Sequence, residues 1–405
     1  MILFTNVPEF YNDICEEIRL FIPREEIALS EEAGEENSLS AVISVENGFF
    51  VSYAVFVREG KTYTHLQKDP YRGGSELVEK RYAKRCIKTA VFRAMRKAFP
   101  GRLIPWGSLT GIRPTRLLRE LIDTEGREEA LRLMREQFDV SPEKIALAEE
   151  IDSVQQPILN SAGPNDLGVY IGIPFCRTRC LYCSFASQLR TKKTDMKAYL
   201  NALKKDIELG SAMAASHGLT PRSFYMGGGT PTILTADELD SLLDHVHSCY
   251  STAGCEFTVE AGRPDTITRD KLLVMKSHGV TRVSVNPQTM CDRTLRLVGR
   301  DHTSADIIAC YNEVREVGFD SVNMDLIAGL PNETESDFAH SLEVIKSLSP
   351  DCLTVHTLAI KRASRLRERM DEYELPPVEA VEHMVDMGRE CASSMGMKPY
   401  YMYRQ

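Results

Sequence analysis

Three cysteines, Cys176, Cys180 and Cys183, stand at C-x3-C-x2-C spacing directly after an apolar run that ends at Pro174. Thiolates are metal ligands, so this spacing indicates a metal centre. A closed zinc site needs a fourth ligand, and residues 170–190 contain no further cysteine and no histidine. A four-iron cluster ordinarily takes four thiolates, so three would leave one iron open to a ligand that is not protein. Three unrelated buried cysteines are the alternative, and the close spacing argues against it.

Other polar residues end apolar runs further along the chain. A Gly-Gly-Gly-Thr segment at 227–230 follows the run 222–226, and three glycines let a ligand approach backbone N–H and C=O groups. By itself such a triplet usually marks a turn. Glu260 closes the run 255–260, where a carboxylate is either a paired structural ion or a ligand for a cation.

Asp325 interrupts the apolar stretch Asn323-Met-Asp-Leu-Ile, and Gln288 and Arg300 follow the preceding run. An Asp and a Gln together can bind ribose hydroxyls, and an Arg can pair with a carboxylate. Each residue taken singly is more often structural than functional. Together with the cysteines they form one constellation.

Short apolar runs alternate with amphipathic stretches throughout the second part of the chain. The predicted strands cover 168–173, 222–226, 255–260, 281–285, 320–327 and 352–358. The predicted helices cover 194–216, 235–249, 268–277, 303–317, 334–348 and 377–395. This alternation predicts a parallel α/β sheet or barrel, because parallel neighbours need crossover connections. Chemistry in such barrels lies at the carboxyl ends of the strands, where the constellation falls.

The first part of the chain has a different pattern. Asn47-Gly48 between two apolar runs predicts a β-hairpin over 41–57, because both central residues of a type I′ turn need positive φ. Helices are predicted at 76–99, 115–123, 126–137 and 142–159. The Gly-Pro-Asn-rich stretch 161–168 reads as a linker. We therefore expect an N-terminal α+β domain at 1–160 and a second domain at 161–405.

The helix predicted at 76–99 carries a basic stripe. Its members are Lys80, Arg81, Lys84, Arg85, Lys88, Arg93, Arg96 and Lys97. Such a stripe can bind RNA, a membrane surface or an acidic ligand. A solvated face is the more frequent case, and we favour it here.

Composition narrows the class of protein. The chain has 405 residues, a net charge of -9 and 43% hydrophobic residues, as in an ordinary globular protein. The acidity argues against a nucleic-acid partner. Only three of the eleven cysteines are clustered, which favours a reducing compartment over a disulfide framework. No signal peptide and no run of ~20 apolar residues is seen, so we expect a soluble cytoplasmic protein with no membrane contact.

From Tyr170 onward the chain resembles the oxygen-independent coproporphyrinogen III oxidase (dehydrogenase) family of the radical S-adenosylmethionine (SAM) superfamily. The motifs, in family order, are Y-x-x-I-P-F-C-x3-C-x-Y-C, G-G-G-T-P-T, T-V-E-A and D-L-I-x-G-L-P. P-W-G-S-L-T-G-I-R-P-T at 105–115 is similar to the HemZ-like branch. The resemblance implies a partial (β/α)6 TIM-like radical SAM barrel over 161–405. It also implies that the family's C-terminal domain is missing after Tyr400.

The same resemblance implies the site. The three cysteines would hold a [4Fe–4S] cluster, and Tyr170 would pack near SAM. The implied SAM contacts are Gly228, Gly229, Thr230, Glu260, Gln288, Arg300, Asp325 and Ala359. The backbone at Tyr182 would touch a second SAM, and no catalytic side chain is assigned.

The implied function is oxygen-independent heme biosynthesis. The cluster would cleave SAM to a radical that abstracts hydrogen from a propionate, and loss of CO2 and one electron would leave a vinyl group. Performed twice, this converts coproporphyrinogen III to protoporphyrinogen IX. An electron donor such as flavodoxin or ferredoxin is implied. The four substrate carboxylates call for arginines, and the candidates are Arg177, Arg179, Arg113 and Arg116.

Two departures keep other functions open. Phe185 stands where the dehydrogenases carry a fourth cysteine, and Gly172 stands where they and the related heme-chaperone branch carry a histidine. A heme-binding chaperone on the same fold is therefore one alternative. A radical SAM enzyme that modifies RNA through the basic stripe is the other.

Overall fold

The computed structural model describes residues 1–23, 25–71, 73–110 and 113–402, and the chain divides into two compact units. The first unit is Met1–Asn160 with the chain end from Pro399, and the second is Ser161–Lys398. Within the described ranges, no helix is long and apolar enough to cross a membrane.

The first unit is an α+β structure. Its strands are β1 (Ile2–Thr5), β2 (Ala28–Ser30), β3 (Ser38–Glu46), β4 (Phe49–Arg58) and β5 (Lys61–Pro70). Its helices are α1 (Tyr11–Phe21), α2 (Glu76–Ala98), α3 (Pro114–Glu125), α4 (Arg127–Glu136) and α5 (Pro142–Asn160), with a 3-10 turn at Pro8–Phe10. The sheet order is β2-β1-β3-β4-β5, with β3, β4 and β5 antiparallel to one another.

The hairpin predicted from Asn47-Gly48 is present between β3 and β4. Asn47 has φ of 49° and Gly48 of 80°, as a type I′ turn demands. The four helices predicted in this unit are also present, with ends that differ by at most two residues.

The basic stripe of α2 is largely neutralised within the fold, so the expectation of a solvated face was wrong for its middle part. Lys88 is buried and lies 3.3 Å from the Glu17 carboxylate. Arg93 and Arg96 both pair with Asp139, at 2.8 and 2.7 Å. Further pairs join Arg81 and Arg85 to Glu120, and Lys84 to Asp13. Cations held in such pairs offer little free charge to a phosphate backbone.

The second unit is the predicted partial (β/α)6 barrel. Its six-stranded sheet consists of β6 (Asp166–Ile173), β9 (Thr220–Gly228), β10 (Glu256–Gly262), β11 (Arg282–Val285), β12 (Ser321–Ala328) and β13 (Cys352–Thr357). All neighbours are parallel, in the order β13-β12-β11-β10-β9-β6. Sequential parallel strands require a crossover at each step.

Helices supply these crossovers. They are α6 (Met196–Ser216), α7 (Ala236–Cys249), α8 (Arg269–Ser277), α9 (Asp292–Leu297), α10 (Ser304–Val317) and α11 (Glu335–Leu348), while α12 (Arg365–Glu368) and α13 (Val378–Ser394) follow β13. Two short strands, β7 (Phe175–Cys176) and β8 (Gln188–Leu189), pair with each other, and 3-10 turns lie at Pro231–Ile233, Pro264–Thr266 and Met370–Glu372.

The barrel strands have one apolar and one polar face. In β12, Val322, Met324 and Leu326 are fully buried in the core beneath the helices. Asn323 and Asp325 alternate with them and therefore point to the opposite face. The other strands repeat this pattern, so the polar constellation shares one face of the sheet.

Candidate cofactor-binding site

The cysteine loop begins at the end of β7 and runs to β8. Cys176, Cys180 and Cys183 are free thiols and partly buried. Burial is the main cause that raises the pKa of Cys183, and the neighbouring thiols of Cys180 and Cys176 add to that rise. Among the described residues, no three His, Cys, Asp or Glu side chains are close enough to hold one metal ion. A four-iron cluster needs no metal ion shared by all three, because each thiolate binds a different iron.

The glycine segment at the end of β9 is tied to the start of the cysteine loop. The backbone N–H of Gly229 donates to Ile173 O at 2.8 Å, and that of Thr230 donates to Phe175 O at 2.8 Å. A Cβ on Gly229 would lie 2.6 Å from Phe175 O, which no side chain permits. Gly229 is thus required by packing of the loop. The ligand contact inferred for Gly228 and Gly229 stays a prediction.

Two carboxylates meet on the polar face of the sheet. Glu260, on β10, has a pKa raised to about 7, by burial first and by the charge of Asp325 second. Its partner is the backbone of Gly228, and no Lys or Arg forms an ion pair with it in the described part of the chain. Asp325, on β12, accepts a hydrogen bond from Asn323 Nδ2 at 2.7 Å and lies 3.8 Å from His356 Nε2. This surplus of negative charge suits a cationic ligand.

Gln288 and Arg300 carry polar atoms that the described chain leaves unsatisfied. Gln288 has φ of 69°, a strained value for a residue with a side chain, and its buried Oε1 has no hydrogen-bond partner among the described residues. Its backbone pairs with β12 through Asp325 O at 2.9 Å. Arg300 is 6% exposed and donates from Nη1 to Asn286 O at 2.6 Å, while its Nε lacks a partner in the same ranges. Buried unsatisfied groups at one strand edge can form hydrogen bonds with a ligand.

The tyrosines and Ala359 border this region. Tyr170 is 62% exposed and stacks on Tyr225 at 6.0 Å between ring centroids. Tyr182 lies beside Arg300 and Cys180, and burial is the main cause that raises its pKa. Ala359 follows the end of β13 by two residues.

Comparison with known proteins decides the family. The model of the radical SAM superfamily matches residues 170–345. The oxygen-independent coproporphyrinogen-III oxidase-like protein HemZ of Bacillus subtilis is 36% identical over 338 residues, which are 82% of this chain and 68% of that protein. The chain belongs to the radical SAM superfamily. Within it, the chain is a member of the family of oxygen-independent coproporphyrinogen III oxidase-like proteins.

The chain is also similar to a heme chaperone and to a coproporphyrinogen III oxidase of known structure. The heme chaperone HemW of Bacillus subtilis is 31% identical over 235 residues, 57% of this chain and 61% of that protein. The structure of coproporphyrinogen III oxidase (HemN) from Escherichia coli, a radical SAM enzyme, superposes with a TM-score of 0.52. It is 27% identical, with 62% of this chain and 56% of that chain covered. The chain thus spans less than two thirds of both.

The cofactors of this radical SAM protein are those of its superfamily, a [4Fe–4S] cluster and SAM. The residues present fit both groups. Three free, partly buried thiols in one loop suit a cluster with one open iron. The surplus negative charge at Glu260 and Asp325 suits the ammonium and sulfonium of SAM, and the free atoms of Gln288 and Arg300 provide polar contacts.

Several residues of the radical SAM site are not evident from the sequence. Asn323 and His356 contact Asp325, which has no obvious cationic partner nearby in the sequence. Arg263 donates to Thr178 Oγ1 at 2.6 Å and lies 4.0 Å from Cys180 Sγ. The one signal for Arg263 is its place just after β10, at the same edge as Glu260.

Of the arginines suggested for substrate carboxylates, two lie in the cysteine loop. Arg177 donates to Asp265 O at 3.1 Å and its side chain is 54% exposed, whereas Arg179 donates to Ala363 O at 2.7 Å. Arg113 and Arg116 lie at the start of α3 in the first unit. Arg177 and Arg179 are therefore part of the cysteine loop itself.

Proposed function

We propose that this radical SAM protein converts two propionate side chains of coproporphyrinogen III to vinyl groups, giving protoporphyrinogen IX. The observation that carries the proposal is the 36% identity to a coproporphyrinogen-III oxidase-like protein across 82% of the chain. The chemistry agrees with the site. A propionate β-carbon is unactivated, so acid–base side chains cannot remove its hydrogen and a cofactor must do so.

Different residues of the chain bind the cluster and SAM. Cys176, Cys180 and Cys183 hold the cluster. Glu260 binds the cationic end of SAM, and Asp325 accepts from its ribose hydroxyls. When bound, the cluster and SAM supply the radical that takes hydrogen from an unactivated carbon.

The polar groups of Gln288 and Arg300 complete the SAM site under this proposal. The buried Gln288 Oε1 accepts a hydrogen bond, and Arg300 pairs with the SAM carboxylate. Gly228, Gly229 and Thr230 present backbone groups to the amino acid end of SAM. Two lining contacts come from Tyr170 and Ala359. The contact of a second SAM with the backbone at Tyr182 belongs to the same proposal.

Substrate and electron partners follow from the chemistry. Four carboxylates on the tetrapyrrole require cations, and Arg177 is partly exposed beside the cysteines. Each propionate gives up a hydrogen atom, CO2 and one electron, so a one-electron acceptor is needed. Cluster reduction needs a donor such as flavodoxin or ferredoxin.

An anaerobic turnover assay tests the proposal. The iron-reconstituted protein is mixed with SAM, dithionite, an electron acceptor and coproporphyrinogen III, and the porphyrins are separated by chromatography after oxidation. Protoporphyrin, with a three-propionate intermediate at early times, is expected. Cleavage of SAM without any loss of CO2 from the tetrapyrrole would refute the decarboxylation.

A heme chaperone is the second candidate. It is favoured by the 31% identity to HemW and by Phe185, 69% exposed, at the place of the dehydrogenases' fourth cysteine. A chaperone would bind heme stoichiometrically, seen as a shifted Soret band, and would leave coproporphyrinogen unchanged. The turnover assay and a heme titration on the same preparation separate the two functions.

A further inference from the structure

Arg263 is a buried cation next to the cysteine loop. Its side chain is 4% exposed, and Nη1 lies 4.0 Å from Cys180 Sγ. An arginine guanidinium carries a permanent positive charge in proteins. A charge in this position is expensive unless it is paired, so its surroundings show how it is kept there.

Asp265 pairs with the far edge of the guanidinium. Arg263 Nε and Nη2 donate to the two carboxylate oxygens at 2.9 and 3.1 Å, a bidentate arrangement. His302 Nδ1 lies 3.4 Å from the same carboxylate, and Arg177 Nε lies 3.6 Å from it. The carboxylate thus accepts hydrogen bonds from Nε and Nη2, and Nη1 is left facing the cysteine loop.

Thr178, inside the C-x3-C segment, connects this cation to the loop. Its hydroxyl accepts from Arg263 Nη1 at 2.6 Å and donates to Gly299 O at 2.7 Å. Both hydrogen-bonding functions of the hydroxyl are therefore used. The arrangement orients the positive edge of the ion pair towards Cys180 and its negative edge away.

We propose that Arg263 is a positioning residue that places a permanent positive charge beside Cys180 and so makes the bound cluster easier to reduce by one electron. This rests on the cluster assignment in the proposed function. In the step concerned, dithionite or the physiological donor is oxidised and the cluster gains one negative charge. A nearby cation stabilises the reduced state more than the oxidised one.

Redox titration of the reconstituted protein under nitrogen tests the inference, with reduced cluster quantified by its electron paramagnetic resonance signal. Arg263→Met removes the charge, and the ratio of reduced to oxidised cluster at a given potential should fall by about three- to tenfold. A tenfold fall corresponds to 59 mV for a one-electron couple. Arg263→Lys keeps the charge, so its ratio of reduced to oxidised cluster should stay near that of the wild type.

Two further variants separate charge from structure. Asp265→Asn removes the opposing negative charge, so it should shift the ratio in the other direction, towards the reduced cluster. Thr178→Val deletes the hydrogen bond from Arg263 but no charge, so the ratio should barely move. Arg315→Met is the control, because its ion pair with Asp351 joins α10 to the loop before β13, away from the cysteines.

The outcomes discriminate clearly. Opposite shifts for Arg263→Met and Asp265→Asn support the inference, even if both variants are less stable in thermal unfolding. The inference would be overturned if all variants had equal reduction potentials. It would also be overturned if the ratio of reduced to oxidised cluster fell as much in Asp265→Asn as in Arg263→Met. Either result would leave the cluster assignment intact. If Arg263→Met binds no iron, the opposite shift in Asp265→Asn still decides the matter. A wild-type protein without a cluster would overturn the inference together with the proposed function.

Discussion

The ionised Glu260 carboxylate lowers the stability of the fold, and under the proposed function the same carboxylate binds SAM. Burial and the charge of Asp325 raise its pKa to about 7 in the folded protein, against 4.5 for an ordinary glutamate. Between these values the folded state holds a proton that the unfolded state has lost. The contribution of this group to stability is therefore complete below pH 4.5 and is lost as pH rises through about 7.

Glu260→Gln should raise the free energy of unfolding of the cofactor-free protein by about 1–3 kcal/mol at pH 8. At pH 5 the same free energy should change little. The amide cannot pair with an ammonium, so SAM affinity of the reconstituted protein should fall. Urea unfolding at both pH values and calorimetric titration with SAM measure the two effects. Glu256→Gln on the same strand is the control. A loss of stability at pH 8 would identify Glu260 as a structural ion.

Asp325→Asn should weaken SAM binding by about 1.5–3 kcal/mol, because the charge-assisted bond to a ribose hydroxyl is lost. The hydrogen bond from Asn323 can be kept by the amide oxygen, so stability without SAM should change little. Calorimetry and thermal unfolding provide both numbers. Asp320→Asn, at the exposed start of β12, is the matched control. A variant that binds SAM normally but melts much earlier contradicts the assignment.

A functional residue can be predicted from the sequence only when it stands at an unusual place in the local pattern, such as a charged residue within an apolar run. Glu260 and Asp325 end or interrupt apolar runs, and a carboxylate at such a place stands out in the sequence alone. Asn323 contacts Asp325 within β12, whereas the contact of His356 with Asp325 depends on the register between β12 and β13. Arg263 likewise reaches Cys180 across 83 residues of chain.

Elements are predictable where their pattern is long enough. The six barrel strands and their long helices follow from alternating hydrophobicity, and capping boxes at Thr235, Thr303 and Thr334 explain why three helix starts are predicted to within a residue. In the second unit, the strands β7 and β8 and the helices α9 and α12 were missed. They have two to six residues, too few to show a period.

Gly229→Ala should disturb the cysteine loop without touching a cysteine. The new Cβ would meet Phe175 O at 2.6 Å and Ile173 O at 2.9 Å, both backbone atoms, so the loop or the end of β9 must move. We expect a loss of about 1–3 kcal/mol in unfolding free energy and a lower iron content. At Gly172, in contrast, an added Cβ meets Tyr170 at an ordinary 3.4 Å. Gly172→Ala is therefore the control, and equal behaviour of the two variants would refute the packing argument.

At the scale of the whole molecule, we propose that residues 1–160 and 161–398 are separate domains joined at 161–165, between α5 and β6, with the chain end from Pro399 grouped with the first. Residues 161–165 are exposed, and among the described residues Gly163 forms hydrogen bonds only with Asp166. Limited proteolysis of the native protein should cut first near Gly163 or Asn165 and give two persistent fragments. Mass spectrometry of early digests locates the cut. First cleavage within β9 to β13 would contradict this division.

The most direct test of the central claim is the iron content of cysteine variants. Wild-type protein and Cys255→Ala, reconstituted side by side under nitrogen, should each hold about four irons per chain, with broad visible absorption that changes on addition of SAM. The variant with Cys176, Cys180 and Cys183 all changed to Ala should lose the iron, the absorption and the response to SAM. A triple variant that keeps about four irons per chain would show that the cluster, and the radical chemistry built on it, lies elsewhere.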